Sequence, residues 1–217
     1  MRGELVVLMI MGVCCAVSYA QPGADRTYTG YYTGVIIPTP QEVTYGDQVW
    51  PLPPGLAVPV VVGEGVGTPE LLAAREIANR IVYLGGQATV VTEDAVPEDA
   101  PLVIVVGQLS TNRLLARHAA ACGMRVPQRA EGYALACYEP AAGGRAVLCA
   151  GADPTGCYFS AQSLVQLFDR GPQAPVLHPA EVRDWPVFVL RSFKTGGSPG
   201  VDADTGLMAR WAPSAKF

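Results

Sequence analysis

The sharpest chemical patterns in this chain lie near its end. Asp202, Asp204 and Gly206 are spaced like the opening ligands of a calcium loop, where alternate carboxylates and a tight glycine turn enclose the ion. Asp204-Thr205-Gly206 also matches the triplet that aspartic proteases use in duplicate, so that two carboxylates share one proton. Neither pattern is completed: Pro213 stands at the twelfth loop position, and no second triplet occurs. A solvated loop is the plainer role. Gly63-Glu64-Gly65-Val66-Gly67 follows an apolar run and precedes a helix start, with Glu93 at the end of the next strand, the layout of a dinucleotide-binding crossover. Thr68 occupies the place of the third glycine, which leaves a turn in front of a helix as the plainer role here too. His118 and His178 are the two histidines of the chain, too few for a zinc centre. No catalytic residue, metal ligand or cofactor is assigned.

The elements that would have to position any such groups read clearly. Val35-Ile36-Ile37-Pro38 starts the fold, and prolines 38, 40, 51, 53 and 54 break the next stretch of chain into short extended pieces. Val58 to Val62 is a β-branched strand. Thr68-Pro69-Glu70 opens a helix, with Thr68 as its cap and Pro69 at the first position. Leu71, Leu72, Ala74, Ile77, Ala78, Ile81 and Leu84 continue it at helical spacing until Gly85-Gly86. Ala88 to Thr92 and Leu102 to Val106 are strands, the second apolar on both faces as a central strand should be. Asn112 to Cys122 is a second helix, and Asp153-Pro154-Thr155-Gly156 opens a third that runs through Phe168. Val176 to Arg183 is a last extended piece before Asp184-Trp185-Pro186. The predicted class is α+β, with a mixed, mainly antiparallel sheet of about six or seven strands and two or three helices.

Composition sets limits on the partners. The chain is 50% hydrophobic and 16% charged with a net charge of −4, and it has no basic patch. Nucleic acid and anionic membrane surfaces are therefore excluded as expected partners. Arg2, the apolar run Leu5 to Val17 and the small residues Ser18-Tyr19-Ala20 form an export signal with cleavage expected after Ala20. The run is shorter than the roughly 20 residues a spanning helix needs. The expected location is secreted or periplasmic, with no membrane contact after cleavage.

Four cysteines remain after processing: Cys122, Cys137, Cys149 and Cys157. Tyr133 to Glu139 and Arg145 to Ala150 read as a hairpin around Gly143-Gly144. A three-residue loop would set Cys137 opposite Cys149, and a two-residue loop would put them one place out of register on opposite faces. The alternative is that all four are small buried hydrophobes.

Four phrases, in order and at plausible spacing, resemble the N-terminal domain of bacterial β-N-acetylhexosaminidases, glycoside hydrolase family 20. Ile36-Ile37-Pro38-Thr39-Pro40-Gln41-Glu42-Val43 resembles that domain's opening. Glu131-Gly132-Tyr133-Ala134-Leu135 is similar to its E-x-Y-x-L strand. Ala152 to Phe159, continuing to Ser163-Leu164-Val165-Gln166-Leu167, is similar to its last helix. Val182 to Arg191 resembles the link into a catalytic (β/α)8 barrel. The resemblance implies a front domain without catalytic residues, packed against a barrel that hydrolyses terminal N-acetylhexosamine. In such enzymes an Asp-Glu pair after the fourth barrel strand works with the substrate's acetamido group. It also implies that Arg191, at the end of the first barrel strand, donates to sugar hydroxyls, a task that suits a guanidinium fork. The chain departs from the family at Ser192, where glycine is usual. Related hydrolases, including α-glucuronidases and hyaluronidase-like family 84 enzymes, carry a similar front domain.

The expected organisation is a signal peptide over 1–20, a lead-in over 21–34, a non-catalytic α/β domain over 35–183, and the incomplete start of a barrel over 184–217. A lone strand and helix cannot bury both faces of a β-α unit, so the missing barrel is the expected partner, with a glycan as substrate of the whole enzyme. Trp185, Phe188 and Trp211 are the expected interface aromatics. Two other classes stay open: a free-standing carbohydrate- or protein-binding module, and a nucleotide-dependent enzyme built on the glycine turn.

Overall fold

The computed structural model describes residues 34–97 and 99–188. In chain order the elements are strands β1 (Glu42–Tyr45), β2 (Trp50–Pro51) and β3 (Ala57–Val62), helix α1 (Thr68–Tyr83), and strands β4 (Gln87–Thr92) and β5 (Leu102–Gly107). Helix α2 (Arg113–Cys122), strands β6 (Tyr133–Tyr138) and β7 (Arg145–Gly151) and helix α3 (Pro154–Leu167) come next, and then the short strands β8 (Phe168–Asp169), β9 (Val176–Leu177) and β10 (Ala180–Asp184). The main sheet has seven strands in the order β1-β10-β6-β7-β5-β3-β4, and β2-β9-β8 form a three-stranded sheet beside it. Strands β4, β3, β5 and β7 run parallel, while every other pairing is antiparallel. The class is α+β with a mixed, mainly antiparallel set of pairings, as the sequence predicts.

Alternation along the strands builds two cores. On one face Val58, Val60, Val62, Ile104, Val147 and Leu135 meet α1 through Ile77 and Ile81 and α3 through Leu164 and Leu167. On the other face Val61, Val103, Val105 and Leu148 meet α2 through Leu115 and Ala119. Strand β5 is buried at all its positions because helices cover both its faces. Strands β1 and β10 instead turn Glu42, Thr44 and Glu181 to solvent, the pattern of a half-covered antiparallel strand. Helix α3 lies deepest, with nine buried residues from Gly156 to Leu167.

Local chemistry explains the helix boundaries. Asn112 is fully buried as the cap of α2: its carbonyl oxygen accepts from Leu115 N at 2.8 Å and its amide donates to Val106 O at 3.1 Å. Gly123, in the left-handed region at φ 71°, closes that helix. For α1 the structure corrects the cap: Gly67 takes that place without a side-chain bond, and Thr68 is the first helical residue.

The Val35–Pro38 stretch that opens the fold forms no strand and carries a cis Ile37–Pro38 peptide, and the first strand is Glu42–Tyr45. Two further expectations change. The extended piece Val176 to Arg183 is divided between two sheets, because Pro179 has no N–H to continue a ladder. The hairpin loop runs from Glu139 to Gly144, and the register is Leu135 opposite Cys149 and Cys137 opposite Val147. Cys137 and Cys149 thus share a face on a diagonal, matching neither of the two loop lengths considered. All four cysteines are free thiols. Burial pushes the Cys137 and Cys157 thiols up to about 12 and Cys149 higher still.

Candidate functional site

The phrases singled out along the sequence meet at one corner, where the chain leaves the sheet. Asp153 sits in front of α3 and uses both carboxylate oxygens. Oδ1 accepts from Gly156 N at 2.8 Å, capping the helix, and Oδ2 accepts from Glu131 N at 2.7 Å. Glu131 is held in the left-handed region at φ 60°, a conformation that costs a non-glycine residue about 1 kcal/mol or more. The approach is close: a Cβ on Gly156 would stand 2.3 Å from the carbonyl oxygen of Gly132, which also accepts from Ala152 N at 2.8 Å. Only hydrogen fits between the start of β6 and the first turn of α3.

Tyr133 is the hub of the corner. Its hydroxyl donates to Asp184 Oδ2 at 3.0 Å on β10 and accepts from Ser163 Oγ at 2.7 Å on α3, with Phe159 O, 3.1 Å from Ser163 Oγ, as the alternative acceptor for the serine proton. The other oxygen of Asp184 accepts from Gln41 N at 3.1 Å, just ahead of β1. One carboxylate therefore ties the incoming strand to the outgoing one. Burial, followed by the charge of Asp184, holds the Tyr133 phenol far above its ordinary range, so it stays a donor at every ordinary pH. Ile37 N donates to Gln166 Oε1 at 2.9 Å, which brings the opening phrase onto the end of α3.

Past Asp184 the chain turns outward. The Arg129 guanidinium lies 5.3 Å from the centre of the Trp185 ring, a cation–π contact. Val187 and Phe188 lie in no strand and are 65% and 67% exposed. A cavity of about 160 Å³ opens here, lined among others by Pro38, Tyr133, Phe159, Trp185 and Phe188. The corner acts as a clamp: the carboxylates of Asp153 and Asp184 accept from backbone N–H and phenol donors, and the cavity mixes the polar side chains of Thr39, Gln41 and Glu131 with the apolar Phe159, Trp185 and Phe188.

The other predicted groups are elsewhere. Arg191, Trp211 and the acids Asp202 and Asp204 lie outside the described residues. In the glycine turn a Cβ on Gly63 would stand 2.3 Å from Thr111 O, so the loops after β3 and β5 are in contact. The N-terminus of α2 is filled by the protein's own carboxylate, since Glu93 accepts from Arg113 N and Leu114 N. Among the described residues the glycine turn is thus packed backbone against backbone on the neighbouring loop. His118 pairs with the Tyr138 hydroxyl through Nδ1 on the α2 face of the sheet. Among the described residues no group of three His, Cys, Asp or Glu side chains could hold a metal ion. Sequence reasoning did not anticipate Ser163 and Arg129 as partners at the corner. The signal was present for Ser163, which lies at helical spacing on the same face of α3 as Phe159.

Comparison with known proteins gives these motifs a context. Glycosyl hydrolase family 20, domain 2, matches residues 34–185. Among solved structures, CpGH84B is similar at 18% identity and a TM-score of 0.57, over 83% of this chain and 28% of that one. CpGH84D is similar at 16% identity and a TM-score of 0.52, over 70% of this chain and 24% of that one. The chitobiase of Flavobacterium johnsoniae matches at 16% identity and a TM-score of 0.49, over 80% of this chain and 24% of its own. The first two likenesses establish a common fold. This chain spans about a quarter of the length of these structures. No curated protein matches it.

Proposed function

Since the chain belongs to glycosyl hydrolase family 20 through its domain 2, we propose that residues 34–188 form the non-catalytic front domain of an exported hydrolase acting on terminal N-acetylhexosamine. The observation that carries this reading is the exit corner. Four separated phrases, Pro38 to Gln41, Glu131 to Tyr133, Asp153 to Gly156 and Asp184 to Pro186, are spent on fixing the direction in which the chain departs. A doubly anchored exit gives a following domain a fixed point from which to start. The exposed Val187 and Phe188 beside the corner cavity are apolar surface for a following domain to cover. That domain is a (β/α)8 barrel, with the segment from 184 to 217 as its start and Trp185, Phe188 and Trp211 at the seam. Arg191 binds the sugar in the assembled enzyme, and residues 1–20 direct export to the periplasm or medium.

Two measurements test the reading. The purified 217-residue chain is expected to show no turnover of aryl N-acetylglucosaminides, and hydrolysis by a homogeneous sample overturns the non-catalytic assignment. Sequencing the reading frame past Phe217 is expected to give a series of apolar strands with an Asp-Glu pair. A stop codon directly after Phe217 in the native gene removes the barrel from the proposal.

A further inference from the structure

The pole of the sheet opposite the exit corner carries a second, differently built cleft. It lies where β5 and β7 begin, about 20 Å along β7 from the corner, and is a groove open to solvent with a volume of about 520 Å³. Pro53, Pro54, Pro101 and Pro140 wall it. Its charged groups are Arg145 and Glu139, whose Nε and Oε1 are 3.2 Å apart.

Arg145 is fixed from three directions. Its guanidinium sits 5.0 Å from the centre of the Trp50 ring, its Nε donates to Glu139, and its backbone N donates to Pro101 O at 3.0 Å. Trp50 is itself buried at 9% exposure and packs into the core. Among the described residues neither terminal nitrogen of Arg145 and no further lone pair of the Glu139 carboxylate has a hydrogen-bond partner, and the two side chains are 34% and 65% exposed. The cleft therefore presents a rigid planar donor fork next to an acceptor carboxylate, between hydrocarbon walls. By contrast Arg183, on the solvent face of β10, already spends Nε on Arg125 O and Nη1 on Glu42.

We propose that this cleft is a binding site for a neutral saccharide. Vicinal hydroxyls of a pyranose both donate and accept, so one can receive the Arg145 fork while its neighbour donates to Glu139. The C–H faces of the ring suit the proline walls, and the volume lies within the range of small-molecule sites. An anion would meet the Glu139 carboxylate beside the fork, which selects against phosphate and sugar acids. The site goes beyond the front-domain reading and does not rest on it, since its lining comes from residues between Pro51 and Arg145.

The test is an NMR titration of the full ¹⁵N-labelled chain with chitotriose, maltotriose, sodium glucuronate and inorganic phosphate, each to about 20 mM. Saturable shifts of the Gly143, Gly144 and Arg145 amides with one of the neutral trioses, at a Kd in the millimolar range, are expected. Glu139→Gln and Arg145→Lys should each weaken binding about tenfold. Glu139 is exposed enough that its amide variant keeps the fold, so it carries the test even if Arg145→Lys unsettles Trp50. No saturable shift with either triose, shifts mapping away from the cleft, equal affinity in the Glu139→Gln protein, or a response to phosphate or glucuronate alone overturns the proposal.

Discussion

Replacing Tyr133 by phenylalanine isolates the hydroxyl at the centre of the exit corner. The ring is 1% exposed, so the substitution changes no packing and removes one donor to Asp184 and one partner of Ser163. Ser163 keeps Phe159 O as its acceptor, and that half of the loss is small. A hydrogen bond to a charged group contributes about 1.5–3 kcal/mol, and Asp184 is only half-buried, so water recovers part of it. The expected loss is about 2 kcal/mol, or roughly 4–8 °C in Tm for a domain of this size. Asp184→Asn should cost a similar amount, because the amide retains one acceptor for Gln41 N. The decisive quantity is the double variant. If phenol and carboxylate act on each other, the two losses overlap by about 1 kcal/mol, whereas independent sites add to within about 0.5 kcal/mol. Urea unfolding followed by circular dichroism measures all four proteins, with an unchanged m-value as the check on two-state behaviour. Strict additivity would refute the claim that Tyr133 and Asp184 form one clamp.

Gly156→Ala drives a Cβ to 2.3 Å from the Gly132 carbonyl, backbone against backbone, and should cost about 3 kcal/mol or more in the same unfolding assay. Gly65→Ala, at φ 66° but with open space around it, should cost only about 1 kcal/mol. Burial and, to a lesser degree, Arg117 hold the His118 pKa below its ordinary 6.5, so the folded state favours the neutral ring. That contribution is complete above pH 6.5 and is lost as the pH falls through the lowered value. The Tm of the native protein should therefore drop more steeply below about pH 6.5 than that of His118→Asn. Parallel curves would show that the ring titrates freely.

Elements whose residues repeat at one period were legible in the sequence, and those that depend on distant partners were not. Leu102 to Val106 reads as a central strand because it is apolar on both faces, and it lies between β3 and β7 with both faces covered. Asp153-Pro154 marked the start of α3 because a cap and a first-position proline are local signals. Strand β1 escaped notice because Glu-Val-Thr-Tyr buries little and is held mainly by its ladder with β10, more than a hundred residues later. The hairpin register failed for a related reason: Gly143-Gly144 suggested a tight turn, but Pro140 and the bond from Gly143 N to Pro140 O widen it. At the corner the phrases could be read, and their meeting could not. The contacts of Asp153 with Glu131 and of Asp184 with Gln41 join segments that only the folded sheet brings together.

The pairing of β1 with β10 has an evolutionary consequence. A body whose first and last strands lie side by side, stitched by one aspartate, can be lifted from one gene and set into another without stretching either junction. Such a cassette is portable. On this view selection on the cassette falls on its paired ends and the interior between them, and its outward loops are free to diversify with each new host.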